Sequence, residues 1–223
     1  MDWLRQVNNY CERTDASYWS EPVNALTNLS FLIAAYICLR AARRAGDGAA
    51  LALVASLAAI GVGSYLFHTH AQVWAALADV TPILIFILTY VYLATVRFFG
   101  TSRWVGLAVT GLFLPYAALV STGLGAIFGD LNGSMGYVPV PILIGLYALA
   151  LRNRDPETAR GLAIGAGILA VSLTFRTVDY AVCGAIPLGT HFLWHILNGV
   201  MLGWMILVMI RAGERRKSAP NLA

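Results

Sequence analysis

Apolar residues in this chain come in long blocks separated by short polar seams. The blocks fall at 22–42, 49–67, 80–99, 104–122, 136–151, 159–180 and 189–210. A helix of about 20 apolar residues crosses the roughly 30 Å hydrocarbon core of a bilayer. The pattern therefore predicts an all-α membrane protein, a bundle of seven transmembrane helices joined by short loops. Residues 1–21 form a polar and aromatic N-terminal segment, 22–211 the membrane domain and 212–223 a short tail. There is no low-complexity stretch and no internal repeat. The first twenty residues lack a basic start followed by an apolar core, so they do not read as a cleaved signal peptide. The first span is expected to direct its own insertion.

Composition agrees with the pattern. Of 223 residues 59% are hydrophobic and only 12% charged, which leaves no room for a soluble domain. The charges give the orientation. Arg40, Arg43 and Arg44 follow the first span, Arg97 and Arg103 the third, Arg152, Arg154 and Arg160 the fifth, and Arg211, Arg215, Arg216 and Lys217 the last. The opposite side carries only Arg5 and Arg13. By the positive-inside rule the N-terminus is outside and the C-terminus cytoplasmic. The net charge of +4 is thus a topology signal and not a nucleic-acid footprint. A bacterial plasma membrane is the expected location, with the endoplasmic reticulum or Golgi membrane as the eukaryotic counterpart.

Ionisable residues inside such spans are costly, and they mark function. His191 and His195 are four apart at the start of the last span, on one helical face. They suit one shared metal ion, or alternatively a pair of interhelical hydrogen bonds. His68 ends the second span, which runs outward, so all three imidazoles fall at one depth beneath the outer surface. Ser64 shares the face of His68, and Asp79 opens the third span at the same level, as a proton acceptor or a helix N-cap. Three histidines with a free fourth position are the pattern of a catalytic zinc site. Glu12, Asp15 and Glu21, with Asn9 and loop carbonyls, form an oxygen-rich cluster. They suit a hard cation or simply a solvated loop that caps the first span. Asn24 and Asn28 share a face as interhelical glue. Arg176 and Asp179, one turn apart, suggest an ion pair. Cys11 and Cys183 both fall outside, as a bridge or as two free thiols, while Cys38 is packing.

Gly63-Ser64-x-x-Phe67-His68, Asp79 eleven residues later, and His191-x-x-x-His195 resemble the alkaline ceramidase family, within the superfamily of seven-helix hydrolases that includes the adiponectin-receptor-like proteins. Tyr10-Cys11-Glu12, Trp19-Ser20-Glu21-Pro22-Val23-Asn24 and Phe175-x-x-x-Asp179-x-x-x-Cys183 extend the likeness over the whole chain. The resemblance implies zinc on His68, His191 and His195, with Asp79 and Ser64 beside it as catalytic groups. It implies a disulfide between Cys11 and Cys183. It also implies calcium on Glu12 and Glu21 with Asn9, Tyr10 and Asp15. The pattern departs there: Asn9 and Tyr10 stand where the family has an aspartate and a tryptophan, and the interval between Glu12 and Glu21 is shorter.

The expected activity is zinc-dependent hydrolysis of the ceramide amide, releasing sphingoid base and fatty acid. The partner is a membrane lipid substrate, with no nucleic acid and no obligate protein partner. Two alternatives stay open: another N-acyl lipid as substrate, or a seven-helix lipid receptor whose zinc is not catalytic.

Overall fold

The computed structural model describes residues 2–218. Its helices are α1 (Pro22–Thr27), α2 (Leu29–Arg44), α3 (Gly48–His70), α4 (Val73–Phe99), α5 (Arg103–Phe128), α6 (Pro139–Leu151), α7 (Pro156–Val182) and α8 (His191–Ser218). A single 3-10 turn, Met135–Tyr137, leads into α6. Among the described residues there is no strand, only an isolated bridge between Gln6 and Gln72.

Among the described residues six stretches are long and apolar enough to cross a membrane, α1 and α2 counting together as Pro22–Arg44; Met135–Leu151 is a shorter apolar helix. The block at 80–99 understates α4, which begins at Val73 with Gln72 as its N-cap. Asp79 is accordingly in the second turn of a helix and is not a cap. The first span is interrupted at Asn28, where α1 gives way to α2.

Local chemistry explains the ends. Asp47 caps α3 by accepting from the Ala50 amide, and Asp155 caps α7 by accepting from the Thr158 amide, with Pro156 in the first turn. Ala71, buried and left-handed at φ 46°, stops α3 and lets the chain double straight back into α4.

Small residues then let the helices close on one another. A β-carbon on Gly63 would collide with the Ala78 carbonyl, so only glycine allows α4 to lie directly against α3 at that level. Gly199 does the same for α8 against Ser30 of α2. The core below is apolar and drawn from α3, α7 and α8, with Leu53, Leu57, Ile60, Leu162, Met205, Ile206 and Met209 all fully buried. Leu119, Ile127 and Trp104 of α5 point outward, as lipid-facing side chains should.

The N-terminal segment lies across one end of this bundle. Val7 donates its amide to the Ala71 carbonyl, and Val73 and Trp74 donate to the carbonyls of Arg5 and Trp3. A disulfide between Cys11 and Cys183 ties the segment to the turn after α7, with Cα atoms 5.4 Å apart.

Candidate metal centre

Two glycine-mediated contacts and one capping interaction bring the histidines together. α3 presents His68 in its last turn, and α8 presents His191 and His195 in its first two. The start of α8 is fixed by Asp179 of α7, which accepts from the amides of Thr190 at 2.7 Å and His191 at 2.9 Å, and from Cys11 at 2.9 Å. A carboxylate there satisfies donors that the first turn leaves open and opposes the positive end of the helix. Gly189, at φ +70°, is required beside it, because a side chain would run into the Asp179 carboxylate.

The expected ion pair between Arg176 and Asp179 is therefore corrected. Arg176 instead donates to the Asn132 carbonyl at 2.7 Å and the Ser134 hydroxyl at 2.9 Å, and its guanidinium lies over the rings of Tyr137 and Trp194. One-turn spacing lets the two side chains meet, but each finds better partners on other elements.

His68, His191 and His195 are 1%, 2% and 1% exposed, and one ligand atom from each lies within 4.8 Å of the other two. His68 Nε2, His191 Nδ1 and His195 Nε2 are buried with no hydrogen-bond partner. Three buried polar atoms left bare in one spot are costly unless something else binds them. The opposite ring nitrogens explain which atoms are free. His68 Nδ1 donates to Glu21 Oε2 at 2.6 Å. Thr27 Oγ1 sends its hydrogen back to the carbonyls of Val23 and Asn24, so it accepts from His195 Nδ1 at 3.0 Å. Tautomers fixed in this way leave both Nε2 lone pairs aimed at the cluster. Tyr10 stacks on His191 with ring centroids 3.6 Å apart.

Ser64, buried on α3, and Asp79 on α4 lie beside the close contact that Gly63 makes with the backbone of Ala78 and Asp79. Asp79 is outside the three-nitrogen group.

The acidic cluster tells a different story from the one expected. Glu12 accepts the amides of Val23 at 2.7 Å and Asn24 at 2.8 Å, which makes it the cap of α1; burial pushes its carboxyl up. Glu21 is 2% exposed and holds both His68 and Arg13, the latter at 2.5 Å. Burial alone would raise its pKa, but the hydrogen bonds and charges of His68 and Arg13 hold it below the usual carboxylate range. Arg13, itself buried, also donates to the carbonyls of Asp15, Ser17 and His68. Asp15 and Asn9 are exposed, and Tyr10 is turned onto His191. The residues do not fit calcium as arranged, because a guanidinium already sits among the oxygens that a hard cation requires.

Sequence reasoning missed Glu21 and Thr27 as the partners behind the imidazoles. The depth argument that aligned His68 with His191 places Glu21 at the same level, and was the signal available.

The set can bind one divalent metal through neutral imidazoles, with a carboxylate and a hydroxyl beside it. A family model described as Ceramidase matches residues 7–221. No curated protein matches the chain at a significant level.

Proposed function

The chain belongs to the ceramidase family, and on that premise we propose that it is a zinc-dependent intramembrane amidase cleaving ceramide to sphingoid base and fatty acid. Family membership makes it a hydrolase acting on an amide bond of a lipid. One observation carries the finer reading: three buried imidazole nitrogens face one another with no protein partner. Imidazole suits zinc, and three protein ligands leave a coordination position for substrate.

A zinc ion held there would polarise the substrate carbonyl and bring the pKa of water down to about 7. The remaining steps belong to this chain. Asp79 takes the proton from the attacking water and returns it to the leaving amine, so that the sphingoid base departs neutral. While Asp79 is ionised it engages the Ser64 hydroxyl. Once protonated it releases that hydroxyl to donate to the developing oxyanion, an interaction worth about 2.7–4 kcal/mol. Glu21 and Thr27 hold two of the rings in position, and Tyr10 covers the third.

An apolar groove of about 370 Å³ runs between α2 and α8, from Ser30 and Ile196 past Ile33, Ile37 and Val200 to Leu207. It starts where Ser30 donates to the His195 carbonyl at 2.9 Å, and it opens sideways. It is the place for the acyl tail, entered from the bilayer. Counting Met135–Leu151 as a span gives seven crossings, with the N-terminus and the metal centre outside and the arginine-rich end cytoplasmic.

The test is metal content together with turnover on a panel of N-acyl lipids. Stoichiometric zinc and release of fatty acid from ceramide are expected, both lost in His191→Ala. Cleavage of a different N-acyl lipid alone would change the substrate, and zinc-loaded protein that binds lipid without cleaving any would make it a receptor.

A further inference from the structure

Besides the three imidazole nitrogens, three buried amide oxygens lack a partner: those of Asn24, Asn28 and Asn198. Asn198 differs from the other two in its position. It follows His191 and His195 at i+7 and i+3, so it continues the stripe of metal-facing residues one turn deeper along α8. It is 7% exposed and forms part of the wall of a cavity of about 40 Å³. The rest of that wall includes Ile83, Phe86, Leu169 and Met201, with Tyr137 and Trp194, over whose rings Arg176 lies.

A water molecule takes up about 30 Å³ in the liquid and needs two to four polar partners to be held in a buried site. The lining is mainly apolar, so a lone water finds few of the polar partners it needs there. An unpaired amide oxygen in such a wall is costly unless a ligand supplies the missing donor.

We infer that Asn198 is a specificity-determining residue: its side-chain amide accepts a hydrogen bond from a hydroxyl that the bound lipid carries within a few bonds of the scissile amide. The site then selects hydroxylated N-acyl lipids over their deoxy counterparts. This deepens the amidase reading above and rests on it for the placement of the amide at the metal. The hydroxyl has two possible sources, the 3-position of a sphingoid base or the 2-position of the acyl chain. A site that provides a buried acceptor rejects the analogue lacking the donor far more strongly than an apolar pocket rejects an extra group.

The experiment compares each lipid with its deoxy partner in two arms: N-acyl sphingoid against its 3-deoxy form, and 2-hydroxyacyl against plain acyl. The ratio of kcat/KM within each pair is measured for wild type, Asn198→Leu and Asn198→Ser. Binding is measured in parallel by displacement of a fluorescent lipid from the Asp79→Asn variant, with and without the same substitutions. In one arm wild type should prefer the hydroxylated lipid by about tenfold or more. Asn198→Leu should collapse that ratio to near unity, and Asn198→Ser should restore part of it. The arm that responds identifies the hydroxyl. Discrimination in binding without any cleavage would sink the amidase reading and leave this inference standing. Equal losses on both members of each pair, or no preference in wild type by either readout, would overturn it and show Asn198 as a packing residue only.

Discussion

Glu21 is the residue on which most of the centre turns, because it faces two ways. One oxygen fixes the His68 ring and the other neutralises the buried Arg13. A carboxylate behind a metal-binding imidazole raises its basicity and locks its orientation. Glu21→Gln should therefore weaken zinc affinity about 10–100-fold, read by competition with a chelator. The same change strands the Arg13 charge, and breaking a buried pair from one side costs about 3–5 kcal/mol. The double variant Arg13→Gln/Glu21→Gln should recover thermal stability without recovering zinc affinity, which separates the two roles. Asp79→Asn is expected to behave in the opposite way. Zinc stays bound, since Asp79 is outside the ligand group, while kcat falls about 10²–10⁴-fold. At this scale spacing and depth put the three imidazoles at one level, and the family resemblance supplied their convergence on one site. Glu21 was not given its role, because its partner His68 lies 47 residues away and the acidic cluster offered a simpler local account.

At the scale of elements, the α3–α4 contact sets the distance between the hydroxyl and the carboxylate. Gly63 meets the backbone of Ala78 and Asp79, so a larger residue must drive α4 outward and carry Asp79 away from Ser64. Gly63→Val should lower kcat sharply and reduce thermal stability. Gly167→Ala on α7, where the space around the α-carbon is open, should leave both unchanged or gain a few tenths of a kcal/mol from helix propensity. Turnover and melting of the two purified variants decide the matter. The apolar blocks located the long helices but misplaced their ends, for a physical reason. A block records where lipid-compatible side chains run, whereas a helix continues for as long as its backbone bonds are satisfied. Val73 to Ala78 is apolar and helical, but the carboxylate that follows it made Asp79 look like the start of the span; the helix runs through it and puts Asp79 in the second turn. Arg176 and Asp179 show the same limit: periodicity puts two groups on one face, and tertiary partners decide whether they pair.

Across the whole molecule the two ends are closed by different chemistry. At the metal end the N-terminal segment is clamped by the Cys11–Cys183 disulfide, and Tyr10 and Arg13 seal the centre beneath it. At the other end Asp47, the cap of α3, meets Arg97 of α4 at 2.5 Å, and Arg97 also donates to the Met209 carbonyl of α8 at 3.0 Å. Three helices are thus joined through the Arg97 guanidinium, which the Asp47 carboxylate holds in place. Burial alone would raise the Asp47 pKa, but the hydrogen bonds from Arg97 and the Ala50 amide, with the nearby positive charge, hold it below the ordinary aspartate value. A group whose folded pKa is depressed stabilises the fold above its unfolded pKa of about 3.9, and that stability is lost as pH falls through the folded value. Asp47→Asn should therefore be less stable than wild type at neutral pH, and the gap should close on acidification from about pH 4 downward. Reduction of the disulfide should instead cost about 2–5 kcal/mol and change little with pH over that range. Melting curves of wild type, Asp47→Asn and reduced protein in matched detergent from pH 7 to pH 3 separate the two ends. A gap for Asp47→Asn that stayed constant down to the lowest pH would mean that the carboxylate acts as a neutral cap and not as the charged partner of Arg97.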